Sequence, residues 1–79
     1  MLMSLPCTTK ILKNYQPTLE EAQKEVGGYV QMLEFSEGQL LFNEEGRIKG
    51  LPDNPTASEI AGQNIVGNAL FLKGSAKWS

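Results

Sequence analysis

Asn43-Glu44-Glu45-Gly46 sets two adjacent carboxylates at the end of an apolar run. Paired carboxylates can exchange protons with a substrate or take a cation. Nothing nearby supplies the further ligands a cation needs. The same four residues also satisfy a type I turn, with Asn first and Gly fourth. The turn is the reading preferred here, with both carboxylates in solvent. A solvated turn is still a contact surface, because recognition residues concentrate on loops. Arg47 and Lys49 follow, two apart. Such a pair can grip a phosphate or a partner carboxylate, or simply stand as edge charges.

Other chemistry finds less support. Gly27-Gly28-Tyr29 is glycine-rich, but phosphate cradles precede a helix, and these glycines follow one. A helix C-cap is the better reading. Tyr29 is then a half-buried strand residue or an aromatic platform. Asn43, Asn54 and Asn64 read as turn and cap residues. Asn68 interrupts an apolar strand, so its amide must bond backbone, face solvent or touch a ligand. The serines and Cys7 have no histidine base, since the chain contains no histidine. Enzymatic function is disfavoured, and neither a metal nor a cofactor is expected.

The totals narrow the class. The 79 residues fit one domain, taken as 1–79 with a core over about 8–74 and loose ends at 1–7 and 75–79. A chain this short buries roughly 60% of its unfolded surface. One cysteine permits no internal disulfide. A homo-oligomer sharing a core is one route to added stability. Seven basic residues against nine acidic give a net charge of −2. The basic residues do not cluster, so strong binding to duplex nucleic acid is not expected. No segment reads as a signal peptide or approaches the ~20 apolar residues of a membrane span. A cytoplasmic protein with a reduced thiol and no membrane partner is the expectation.

These residues need elements to hold them. Residues 8–13 read as a first strand. Thr18 and Glu21 form a capping box at the start of a helix, with Leu19, Ala22 and Val26 on one face and Gly27-Gly28 at its end. Residues 29–35 and 39–43 read as a hairpin closed by Ser36-Glu37-Gly38. Arg47-Ile48-Lys49 is predicted as a further short strand. A second helix begins at Asn54-Pro55, or one register later at Thr56 with Glu59, and stops at Gly62. Residues 64–74 are predicted as a central last strand, with a bulge or close backbone approach at Gly67. The tail is expected to be loose. The fold class is α+β in the order β-α-β-β-β-α-β. Its mostly antiparallel, twisted sheet has four to five strands, with one main helix on one face and a second, short helix.

Four motifs recur together: Val26-Gly27-Gly28-Tyr29, Asn43-Glu44-Glu45-Gly46, Gly50-Leu51-Pro52-Asp53-Asn54-Pro55-Thr56-Ala57 and Ile65-Val66-Gly67-Asn68. In this combination the chain resembles domain-of-unknown-function family 3846, small proteins of phages and mobile elements, over about residues 9–72. Ser58 stands where that family often has Thr. The resemblance implies a host-cell cytoplasmic setting. It supplies no activity and no catalytic residue.

Three functional readings compete. The first is a non-enzymatic accessory protein that binds a host factor, in the manner of a counter-defence protein, through Glu44, Glu45, Arg47, Lys49 and Asn54. The second is an oligomeric sponge for a cyclic or related signalling nucleotide. Tyr29, Phe42, Asn43, Arg47, Lys49 and Asn68 would stack, read the base edge and hold the phosphates across a subunit interface. The third is a structural or replication-complex component of a phage.

Overall fold

The computed structural model describes residues 7–78. Four strands form one sheet: β1 (Thr9–Leu12), β2 (Val30–Phe35), β3 (Gly38–Asn43) and β4 (Ala69–Leu72), in the spatial order β1-β4-β3-β2. Strand β3 runs antiparallel to both β2 and β4, and β1 joins parallel to β4. This is the expected α+β class. The last strand is central, as its apolar run predicts: all four of its residues are buried.

Period-2 alternation splits the side chains between two cores. On one face Leu41, Leu70 and Leu72 pack with Ala22 of helix α1 (Leu19–Val26) and with Ala76. On the other, Leu40, Ala69 and Phe71 pack with Ala57 of helix α2 (Pro55–Ala61) and with Ile65. Both helices start where local chemistry says they should. Thr18 Oγ1 accepts from Glu21 N at 3.0 Å and Glu21 Oε1 accepts from Thr18 N at 2.9 Å, completing the capping box. Asn54, not Thr56, caps α2, with Pro55 at its first position. Gly27 and Gly62 close the two helices at φ of 82° and 71°, a region that a side chain disfavours.

Four sequence expectations need correction. The last strand covers Ala69–Leu72 rather than 64–74, because the chain bends at Gly67, at φ 81°, before it and turns at Gly74–Ala76 after it. Arg47-Ile48-Lys49 is not a strand but part of a continuous run of turns over residues 44–50. The backbone there closes on itself, Lys49 N on Glu45 O at 3.0 Å and Gly50 N on Arg47 O at 3.1 Å, instead of joining a ladder. Leu19 lies off the buried face of α1, 57% exposed, while Ala22 and Val26 are inside. The C-terminal tail is not loose as far as Trp78. Gly74–Ala76 form a 3-10 turn with Ala76 buried. The side-chain amide of Gln39 pairs with the backbone of Trp78, accepting from its N–H at 2.6 Å and donating to its carbonyl at 2.7 Å. The Trp78 indole donates to Pro17 O at 2.8 Å. Of the ends expected to be loose, residues 1–6 and Ser79 lie outside the described residues, and Cys7 is half-buried.

The start of α1 gives a pH prediction. The Tyr15 hydroxyl, 2.6 Å from both Glu21 oxygens, holds the Glu21 carboxyl below its ordinary 4.5, helped by the Thr18 backbone N–H. A carboxyl with a lowered folded pKa contributes stability above its unfolded pKa and loses that contribution as pH falls. The melting temperature should therefore drop between pH 6 and pH 3, and Glu21→Gln and Tyr15→Phe should each drop less over that range. Equal slopes for wild type and both variants, by circular dichroism melts, would contradict this.

Candidate functional site: the turn after strand β3

Asn43 ends β3 and begins the turn. Its side chain is buried and fully engaged. Nδ2 donates to Val26 O at 3.1 Å, and Oδ1 accepts from Glu45 N at 2.7 Å. One amide therefore ties the turn to the last carbonyls of α1, which a helix leaves without internal partners. The turn then closes on itself through Gly46 N to Asn43 O at 3.2 Å, Lys49 N to Glu45 O at 3.0 Å and Leu51 N to Gly46 O at 3.0 Å. Gly46 is buried against Val66, where a Cβ would fall 2.7 Å from Val66 Cγ2. Two long side chains brace the outside. Arg47 Nη2 donates to Asn64 O at 2.9 Å, and Lys49 Nζ lies 3.5 Å from Gly27 O.

The result is a tethered loop with an apolar tip. Ile48 is 88% exposed, flanked by exposed Arg47 and Lys49. Glu44 and Glu45 are exposed beside it, as the turn reading expects. Tyr29 is 65% exposed rather than half in the core, and its carbonyl accepts from Glu44 N at 2.8 Å, next to the turn. Beneath the loop a hollow of about 270 Å³ is lined by Gln31, Phe42, Glu44, Arg47 and Asn64.

The structure brings some nominated residues together and separates others. Phe42, Asn43, Glu44 and Arg47 surround this hollow. Lys49 turns to the end of α1 instead. Asn54 is 0% exposed, so it offers no surface to a partner. Its nomination as a contact residue is overturned by burial. Asn68 bonds backbone, accepting from Thr8 N at 2.9 Å, and lines a separate open groove with Cys7, Lys24, Leu51 and Pro52. Sequence reasoning missed Gln31, Ile48 and Asn64 as members of the site. Ile48 was read as part of a short strand; the signal that points to a turn instead is the pair of glycines, Gly46 and Gly50, that bracket it.

Among the described residues, no three His, Cys, Asp or Glu side chains come together to hold a metal ion, and no helix is long and apolar enough to cross a membrane. No match was found among curated proteins or among solved structures. Residues 3–78 match the family described as Domain of unknown function (DUF3846), and the chain belongs to that family.

Proposed function

We propose that this is a small non-enzymatic accessory protein that binds a host protein through the turn over residues 44–50, in the cytoplasm of a host cell and in a counter-defence role. The observation that carries the reading is Ile48. An apolar side chain 88% exposed costs solvation unless something covers it, and here it sits on a loop fixed at both ends by Asn43, Arg47 and Lys49. A pre-ordered apolar tip ringed by charges has the layout of an interface hot spot with a polar rim. The phage and mobile-element setting rests on the motif resemblance.

The test is capture of a partner from host lysate by tagged protein. Ile48→Asp should weaken capture by about 30-fold or more, the effect of losing a ~2 kcal/mol hot spot. Its melting temperature should stay near wild type, because exposed substitutions change stability by about 0.5 kcal/mol or less. Glu45→Ala combined with Arg47→Ala should weaken capture less. Unchanged capture by both variants overturns the reading.

The hollow favours the nucleotide sponge as a second reading. Phe42 offers a stacking face, and Gln31, Asn64 and Arg47 offer polar groups to a base edge. Its 270 Å³ lies just below the ~300 Å³ lower bound of small-molecule pockets, so one copy has room for a base and little for phosphates. The Asn43 amide is already committed to backbone and unavailable for readout. A cyclic nucleotide at 100 times its dissociation constant should add about 2.7 kcal/mol to stability. No rise in melting temperature with millimolar cyclic nucleotide eliminates the sponge.

A further inference from the structure

Strand β2 is an edge with an unused ladder. In an antiparallel pair, alternate residues direct both backbone groups to the partner and the residues between direct theirs away. Tyr29 O accepts from Glu44 N, and the two-residue loop Ser36-Glu37 closes on the Phe35–Gly38 pair. Positions 29, 31, 33 and 35 therefore face β3. Val30, Met32 and Glu34 direct their N–H and C=O groups outward, and among the described residues nothing bonds to them. Over six residues the strand has no Pro, no Lys and no bulge, and its single charge is Glu34. The other edge, β1, is only four residues long and carries Lys10, held by Glu25 at 2.7 Å.

We propose that β2 pairs with β2 of a second copy, antiparallel about a two-fold axis at Met32, to make one eight-stranded sheet. Self-complementarity selects the occupant and the register. A two-fold axis perpendicular to the sheet pairs residues that share a face, so register sums must be even. Centring on Met32 is the register that pairs all three outward residues with outward residues: Val30 with the second copy's Glu34, Met32 with Met32, and Glu34 with Val30. Each pair exchanges two bonds, six in all. Glu34, the strand's only charge, meets Val30 and not its own copy. Gln31 falls opposite Leu33, and exposed Tyr29 opposite half-buried Phe35, an aromatic pair of the kind that stabilises strand pairing. Met32, 39% exposed, is covered by its own counterpart.

The experiment is sedimentation equilibrium of the full chain from 1 to 300 µM, with two variants. Met32→Pro removes an N–H that points outward, so it leaves the β2–β3 bonds intact. Wild type should dimerise, and Met32→Pro should raise the dimer dissociation constant about 30-fold through two lost ladder bonds while keeping the wild-type circular dichroism spectrum. The register is tested in a Cys7→Ser background. A hydrogen-bonded antiparallel pair sets Cα atoms about 5.5 Å apart, within disulfide range, so Met32→Cys should crosslink under mild oxidant and Gln31→Cys should not. A wild type that stays monomeric to 300 µM overturns the proposal. So does a dimer whose dissociation constant is unchanged in Met32→Pro, or one that fails to crosslink at Met32→Cys. A monomer whose capture of a host protein is lost in Met32→Pro would assign the edge to a partner's strand and overturn the second copy. Ile48→Asp leaves this edge untouched, so the dimer and the host-binding turn succeed or fail separately.

Discussion

Asn54→Ala should lower the melting temperature by about 10–25 °C. The Asn54 side chain is fully buried and makes four bonds. Oδ1 accepts from Ala57 N and from Thr9 Oγ1, each at 3.1 Å; Nδ2 donates to Gly67 O at 2.8 Å and to Thr8 O at 3.3 Å. One amide thus joins the start of β1, the start of α2 and the Gly67 bend before β4. Losing a helix cap costs about 1 kcal/mol. A buried group stripped of its partner costs about 1–3 kcal/mol. The sum, about 2–4 kcal/mol, is a large part of the 4–12 kcal/mol expected for 79 residues at ~0.05–0.15 kcal/mol each. Asn54→Asp separates the two contributions. It keeps the cap acceptor but points a carboxylate at two carbonyl oxygens. It should be as damaging as alanine at pH 7 and should partly recover in acid, where a protonated carboxyl can donate. A wild-type melting temperature for Asn54→Asp would mean that the two donor bonds contribute nothing.

Asn54 also marks the limit of what the sequence discloses. Its role as the α2 cap was legible, because Asn-Pro before a helical segment is local chemistry completed within three residues. Its burial was not, because Thr8, Thr9 and Gly67 arrive from elsewhere in the chain. The same division holds throughout. Thr18 with Glu21, Gly27, Gly62 and the Ser36-Glu37 hairpin are local devices, and all were readable. The Trp78 anchor depends on Gln39 and Pro17, 39 and 61 positions away, and the tail alone gives no sign of it. Of the site, the turn and its exposed carboxylates were legible. The hollow was not, since Gln31, Phe42 and Asn64 meet only once β2, β3 and the segment after α2 are assembled. Asn43 and Asn54 were nominated for their polar chemistry. In the fold that chemistry satisfies backbone, and apolar Ile48 is the most exposed of the large hydrophobic residues.

Gly38→Ala should cost about 1–3 kcal/mol, the overpacking penalty of a well-filled core. Gly38 is buried at the first position of β3, and its φ is not in the left-handed region, so conformational freedom is not its purpose. Space is. A Cβ there would fall 2.4 Å from Leu72 O and 3.0 Å and 3.2 Å from the edge of the Phe71 ring. The ring lies where the side chain would be, with the Lys73 ammonium 5.8 Å from its centroid. Two obstacles of different kinds therefore meet an added methyl. The ring can move at the expense of the Leu40–Ala69–Phe71 core. The Leu72 carbonyl is backbone of the central strand and moves only with the β3–β4 ladder, which pairs Gln39 with Leu72 at that point. Phe71→Leu opens room on the ring side alone. Combined with Gly38→Ala it should recover less than half of the alanine penalty, measured as a double-mutant cycle in urea. Full recovery would show that the ring sets the limit and that the strand backbone yields. No loss in Gly38→Ala itself would mean that β3 and β4 separate at this end without cost, and the hairpin that presents β2 as a free edge would then be loosely held.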